Sequence, residues 1–313
     1  MNGPLVSVIL PVYQRAALVA QAVRSVIAQT LRDWELIVAD DGSTDDSLPV
    51  CRQLAGSDAR LGVLALRHSG NPAAVRNAAL RTARGEFVAF LDSDDVWMPD
   101  KLERQLAQLR ASRTCAWSYT GFEHIDADGA PLADGVAARW SPCEGQIFAA
   151  TVTGQAPIRT ASVVMAARAL LLAAGGFDEE LVSGQDYDLW MRLALHHPVA
   201  VLPARLTAVR VHSSSHSHRW PPRALEGREL SLRKIAGVAG REWQPLIAAQ
   251  RRRNAAALAA SYLAQGAHAE MLASMRRSFG TCWRDPRWWL SSARTLARSL
   301  RQPMTTSGEP LAR

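Results

Sequence analysis

The sequence predicts an α/β fold: a mostly parallel sheet flanked by helices, followed by a helical region of different character. Three observations predict it. Apolar strand runs and segments of helical period alternate four times before Ala111. Three of the strand runs end in polar or acidic clusters, which in a parallel sheet open along one edge. Past about residue 218 the chain turns Ala/Arg-rich and strongly basic.

The elements follow in order. Val6–Tyr13 (VSVILPVY) is a buried strand run, and Ala16–Gln29 carries apolar residues at helical spacing. Trp34–Ala39 (WELIVA) is the second strand, after which Ser43 or Thr44 is placed to cap a helix reaching Leu54. Leu61–Leu66 is the third strand. Pro72–Arg84 reads as a helix with proline in its first turn and Gly85 beyond its end. Phe87–Leu91 is the fourth strand, and Pro99–Ala111 a further helix with proline at its start. Such βα alternation predicts right-handed crossovers and a parallel sheet.

Residues 115–165 hold short strand-like pieces and turn signals such as Asp128–Gly129. Val182–His196 reads as a helix and Leu206–His212 as the last strand. The expected division is one domain over 1–218, a basic helical region over 219–302, and a disordered tail over 303–313. No internal repeat stands out.

A chain of 313 residues, 48% hydrophobic, is long enough for a large core. No stretch reaches the ~20 apolar residues of a membrane helix. The N-terminus lacks a basic start followed by an apolar run and a cleavage site, so no secretory signal is expected. Cys51, Cys115, Cys143 and Cys282 lie far apart without metal-ligand spacing and read as reduced, mostly buried thiols of a cytoplasmic protein. The net charge is +7, unevenly spread. Residues 1–218 hold 19 Lys/Arg against 23 Asp/Glu, and residues 219–313 hold 17 against 6. A basic balance points to nucleic acid, an anionic membrane surface or an acidic substrate. No nucleic-acid-binding motif accompanies the charge, so no nucleic-acid partner is expected.

The chemistry concentrates in FVAFLDSDDVWMPD, where an apolar strand runs into Asp92, Asp94 and Asp95. Three carboxylates in four residues repel one another, and a divalent cation offsets that most simply. Carboxylates with few other ligands suit Mg²⁺ or Mn²⁺, with phosphate oxygens completing the shell. Asp92 to Val96 also fits the D-x-D-x-V pattern of haloacid-dehalogenase-like phosphatases. That reading wants the motif on the first strand and a later basic lysine; the chain offers only Lys101 and Lys234. A nucleotidyltransferase would open with a Gly-rich basic loop, whereas the first strand here leads into PVYQRAA.

Five stretches decide between these readings: VSVILPVYQRAALVAQAVRSVIAQT, WELIVADDGSTDDS, NPAAVRNAALRTARGEFVAFLDSDDVWMPDKLERQ, GQDYDLWMRLA and VRVHSSS. In this order and spacing the chain resembles the bacterial inverting glycosyltransferases of family 2, which have the GT-A (Rossmann-like) fold. The resemblance spans residues 5–215, and it implies the following roles. Pro11, Val12 and Tyr13 lie along the nucleotide base. Asp40 and Asp41 reach the base or ribose, with either one left to hold the turn, and Asp45 starts a helix. Arg76 sits near the nucleotide and the aspartates, as a phosphate contact or as a partner of a carboxylate. Asp92 contacts ribose or metal-bound water, and Asp94 binds the metal.

On the acceptor side, Asp95 orients the acceptor or binds the metal in second place, Trp97 is a wall of the pocket and Trp190 lines it. Asp186 is carried over as the general base, although Gln185 stands where relatives usually have Glu. Asp188, two residues on, reads as a solvated helix residue, and Arg192 as structural. His212 is a further metal ligand, with His216 and His218 as rivals, and Arg210 reaches diphosphate. The implied reaction moves a sugar from a nucleotide-diphosphate sugar to an acceptor hydroxyl on a glycan or lipid-linked glycan, with inversion and no organic cofactor. A non-catalytic nucleotide-sugar-binding module is the alternative, and the retained Asp186 argues against it.

The basic region carries Arg251–Arg253 and, later, Trp283, Trp288 and Trp289 among arginines. Such a mixture suits peripheral contact with the cytoplasmic face of a membrane. A helical subdomain with arginines on its wet face is the other reading.

Overall fold

A computed structural model describes residues 3–133, 140–211 and 221–282, together with 286, 290, 293 and 295. The chain divides into two compact units, Met1–Ser215 and His216–Arg313.

The first unit is built on an eight-stranded sheet, counted among the described residues, with strand order β3-β2-β1-β4-β7-β6-β8-β5. Its first half follows the predicted alternation: β1 (Val6–Val12), α1 (Ala16–Ile27), β2 (Trp34–Asp40), α2 (Ser47–Ala55), β3 (Leu61–Ala65), α3 (Pro72–Thr82) and β4 (Phe87–Phe90). β1 pairs in parallel with β2 and β4, and β2 with β3. A strand covered on both faces reads as a continuous apolar run, and all seven residues of β2 are buried. Val6, Val8, Leu10 and Val12 pack with Val19, Val23 and Val26 of α1, each burial contributing about 1.5–3 kcal/mol. Pro11 is tolerated in β1 because pairing with β4 has stopped at Ile9, so its missing N–H breaks no bond on that side. Asn71 caps α3 by accepting from the Ala73 N–H, with Pro72 in the first turn.

Ser43 and Thr44 do not cap α2, which begins only at Ser47. Ser43 Oγ instead accepts from the Gln14 N–H, and Thr44 Oγ1 bonds the Gln14 amide. Asp45 braces two helix starts, accepting from the Ala16 and Ser47 N–H groups.

The second half departs from the parallel pattern. It contains β5 (Val96–Trp97), α4 (Lys101–Ala111), β6 (Trp117–Ile125), α5 (Phe148–Thr153), β7 (Val164–Ala167), α6 (Arg168–Ala173), α7 (Gln185–His196) and β8 (Ala200–Arg210). β7 runs antiparallel to both β4 and β6, while β8 is parallel to β6 and antiparallel to β5. The sheet is therefore parallel on one side and mixed on the other. Because β7 opposes β4, the start of β7 lies beside the end of β4, where the acids begin.

The second unit comprises α8 (Pro221–Ala236), α9 (Gln244–Ala264) and α10 (His268–Cys282). Leu258, Ala259, Tyr262 and Leu263 of α9 pack on Met271 and Met275 of α10, with Leu225 of α8 against the same cluster. Arg251 pairs with Glu229 at 2.7 Å, and the Tyr262 hydroxyl bonds Glu226. No helix among the described residues is long and apolar enough to cross a membrane. Trp283, Trp288, Trp289 and the 303–313 tail lie outside the described residues.

Candidate active site

The parallel strands bring Val12, Asp40 and Leu91 to one end of the sheet, the end at which open α/β sheets bind their ligands. Past β4 the chain turns through Asp92–Asp95, with the Asp95 N–H bonded to the Asp92 carbonyl.

Each acid of that loop has a different environment. Asp92 accepts from Arg76 Nη2 at 2.6 Å on one oxygen and faces the Thr160 hydroxyl at 3.0 Å with the other. Its backbone N–H donates to Ser162 Oγ at 2.9 Å. Asp94 keeps a fifth of its side chain exposed, with Arg15 Nε 4.0 Å from its carboxylate. Asp95 is buried and accepts from the Ser162 hydroxyl at 2.6 Å and the Arg210 N–H at 3.1 Å. Burial first, then the charges of Asp94 and Asp92, pushes the Asp95 carboxyl well above the usual carboxylate range.

Asp186 occupies the first turn of α7, accepting from the Tyr187 N–H at 2.8 Å. Its carboxyl is raised, chiefly by removal from water; the Arg76 charge opposes that rise and the Asp92 charge adds to it. The proton-removing candidate and the acid loop thus lie within electrostatic reach of each other. Arg76 sits between them, buried, its Nε and Nη1 without a hydrogen-bond partner among the described residues and its guanidinium 5.5 Å from the Phe177 ring.

Just past β1, Tyr13 is 42% exposed and stacks on His68 at 4.3 Å between centroids. Val12 is buried and Pro11 partly so. The Asp41 carboxylate is taken up by the loop after β3, accepting from the Ser69 N–H and hydroxyl and from the Gly70 N–H. Asp40 is fully buried; one oxygen accepts from the Ser43 N–H and the other has no partner among the described residues. Both acids therefore hold turns. His68, whose Nδ1 lies 2.9 Å from the Asp41 carbonyl, is part of this wall although no sequence motif singles it out.

Several expected roles are not those the geometry supports. Asp95 is a loop brace, too buried to face an acceptor. Trp97 is 2% exposed, donates Nε1 to the Ser162 carbonyl and lies under the Lys101 amine, so it is an interior residue and not a pocket wall. Trp190 is 3% exposed and packs among Phe90, Trp117 and Phe177 in the core. Asp188 is not solvated: it is 1% exposed and pairs with Arg192 at 2.7 Å. Arg192 also donates to the Ala174 and Gly176 carbonyls. Arg210 is engaged within the protein. Its guanidinium donates to the carbonyls of Asp94, Asp126 and Ala127 and to Gln21. His212, His216 and His218 lie outside the described residues.

Among the described residues no three His, Cys, Asp or Glu side chains form a group that could hold a metal ion by themselves. Two partly exposed carboxylates, Asp92 and Asp94, fit a hard cation that takes most of its shell from phosphate and water, as Mg²⁺ does.

Residues 7–171 match the sequence model of the family described as Glycosyl transferase family 2. The chain belongs to glycosyl transferase family 2. One relative is TuaG of Bacillus subtilis, named a “Putative teichuronic acid biosynthesis glycosyltransferase”. It is 44% identical over 129 residues, 41% of this chain and 51% of TuaG. The chain thus spans about half the length of that curated relative. Among solved structures, S. aureus TarS 1–349 in complex with UDP-GlcNAc superposes with a TM-score of 0.60 at 20% identity, covering 88% of this chain and 91% of that one. The mannosyltransferase PcManGT of Pyrobaculum calidifontis, in complex with GDP-Man and Mn²⁺, gives a TM-score of 0.61 at 20% identity over 98% and 88%. At that identity the likeness is one of fold: the family's GT-A architecture, with a helical region following it.

Proposed function

We propose that this chain transfers a sugar from a nucleotide-diphosphate sugar to an acceptor hydroxyl with inversion, in bacterial cell-surface polysaccharide or glycolipid synthesis. The observation that carries it is the meeting of a raised carboxyl at Asp186 with the Asp92–Asp94 loop across the Arg76 guanidinium. The TuaG relative and the sugar-nucleotide complexes of TarS and PcManGT support the donor class.

Asp94, with His212 as a second candidate ligand, would hold Mg²⁺ or Mn²⁺. Bound there, the cation supplies charge stabilisation to the departing diphosphate. Asp92, fixed by Arg76, is oriented for the ribose side, and Tyr13 lines the base side with Pro11 and Val12. Asp186 takes the proton of the acceptor hydroxyl as it attacks the anomeric carbon, and its raised carboxyl makes it a stronger base once ionised. The bond to the diphosphate oxygen breaks as the new glycosidic bond forms, in one displacement. The basic 219–302 region suits peripheral contact with an anionic membrane surface on the cytoplasmic side, which would serve a lipid-linked acceptor.

The test is a screen of nucleotide-sugars for binding to the full chain with Mn²⁺ or Mg²⁺. Metal-dependent binding of one of them, followed by turnover on a glycan acceptor, is expected. Binding with no turnover on any acceptor would favour the non-catalytic module.

A further inference from the structure

A turn just before β7 bonds two of the three acids of the loop. Thr160 precedes a single 3-10 turn (Ala161–Val163) and caps it, accepting from the Ser162 N–H at 3.1 Å. The Thr160 hydroxyl faces Asp92 Oδ2 at 3.0 Å and Asp95 Oδ2 at 3.4 Å. Having one proton, it donates chiefly to the nearer oxygen. The Ser162 hydroxyl spans the loop: it donates to Asp95 at 2.6 Å and accepts from the Asp92 N–H at 2.9 Å. The Ser162 carbonyl accepts from Trp97 Nε1 at 2.8 Å and faces the Thr207 hydroxyl at 3.3 Å. Ser162 is fully buried and Thr160 nearly so.

The consequences follow from counting bonds. Asp92 has one oxygen held by Arg76 and the other by Thr160, so its carboxylate plane is fixed. Asp95 is clamped between Ser162 and the Arg210 N–H. Asp94 lies between two residues so held, with its own carbonyl bonded by Arg210 Nε at 3.0 Å. Asp92 and Asp94 keep 29% and 20% of their side chains exposed, and of these two it is Asp92 whose oxygens are both tied to Arg76 and Thr160.

We propose that Thr160 and Ser162 are positioning residues of the acid loop, holding Asp92 and Asp95 so that the Asp94 carboxylate is presented to a cation-bound diphosphate. The proposal rests on the donor reading above. Residues that orient ligating groups from behind typically account for about 10- to 100-fold in metal affinity.

The experiment measures Mn²⁺ binding by electron paramagnetic resonance, and titration calorimetry with Mn²⁺ plus UDP or GDP, on the full chain. Thr160→Val keeps the shape and deletes the hydroxyl. It is expected to weaken Mn²⁺-dependent nucleotide binding about 10- to 100-fold, and Thr160→Ser to restore most of the loss. Ser162→Ala is expected to weaken it likewise, and serves as the second variant should Thr160→Val fold poorly. Arg192→Met, which breaks an ion pair away from the loop, is the control that lowers stability and leaves this affinity unchanged. Wild-type affinity in folded Thr160→Val and Ser162→Ala would overturn the proposal, as would failure of Thr160→Ser to rescue. An unsubstituted protein that binds neither nucleotide with Mn²⁺ would overturn the donor reading itself, and this proposal with it.

Discussion

Arg76 holds Asp92 at 2.6 Å while its charge also acts on Asp186, so one buried guanidinium couples the acid loop to the candidate base. The two carboxylates come from the end of β4 and the start of α7, more than ninety residues apart in the chain. At Asp186 the charges of Asp92 and Arg76 oppose each other, since Asp92 raises its carboxyl and Arg76 lowers it. Removing the arginine should therefore change the acid–base behaviour of the site as well as its shape.

Transfer by the wild-type enzyme should be fully present above the Asp186 pKa and lost as pH falls through it. That pKa is raised, so the acid limb of the pH–rate profile should lie above the ordinary aspartate range. In Arg76→Met the lowering influence is gone, and the limb should move to still higher pH. A pH profile of kcat on both proteins checks this; an unmoved limb would show that Arg76 does not act on the base.

Asp186→Asn should reduce transfer by about 10²- to 10⁴-fold, the usual worth of a general base, with nucleotide affinity nearly intact. Turnover and calorimetric binding on the same preparation separate the two. Equal loss of both would assign Asp186 to donor binding instead.

Asp94→Ala should abolish metal-dependent nucleotide binding. Chelator treatment of the wild type should do the same, reversibly on adding Mn²⁺. Full activity of the variant after chelation and metal restoration would refute the metal role.

Arg192→Met leaves Asp188 buried without its partner and strips two carbonyls of their donor. A destabilisation of about 3 kcal/mol is expected, at the low end for a broken buried pair because Arg192 is a quarter exposed. Urea unfolding measures it.

The first half of the fold was legible because its strands are covered on both faces and so read as unbroken apolar runs. The second half was not, for identifiable reasons. β8 carries Pro203 and Arg205 within a strand of eleven residues, which hides its beginning. α7 buries Gln185 and Asp188 along with Leu189 and Trp190, so its buried face is partly polar and periodicity mistakes Asp188 for a solvent residue. Trp190 stands beside the base in sequence and was expected near the acceptor, yet an aromatic side chain of that size gains more in the core with Trp117. The acids themselves were visible as a charge conflict needing a remedy. Their supports were not. Thr160 and Ser162 are ordinary hydroxyl residues, and they meet the loop across 65 to 70 positions of chain. Only the reversal of β7 reveals that meeting.

That reversal also orders events during synthesis, since domains are built from the N-terminus as the chain emerges. A nascent chain ending before β6 would already hold Arg76 and all three acids of the loop. It would also hold Arg15 near Asp94, but it would lack Thr160, Ser162 and Arg210, whose hydrogen bonds reach the loop from later in the chain. The crowded charges are thus made early and secured late, and the last tie to arrive is the one at Arg210.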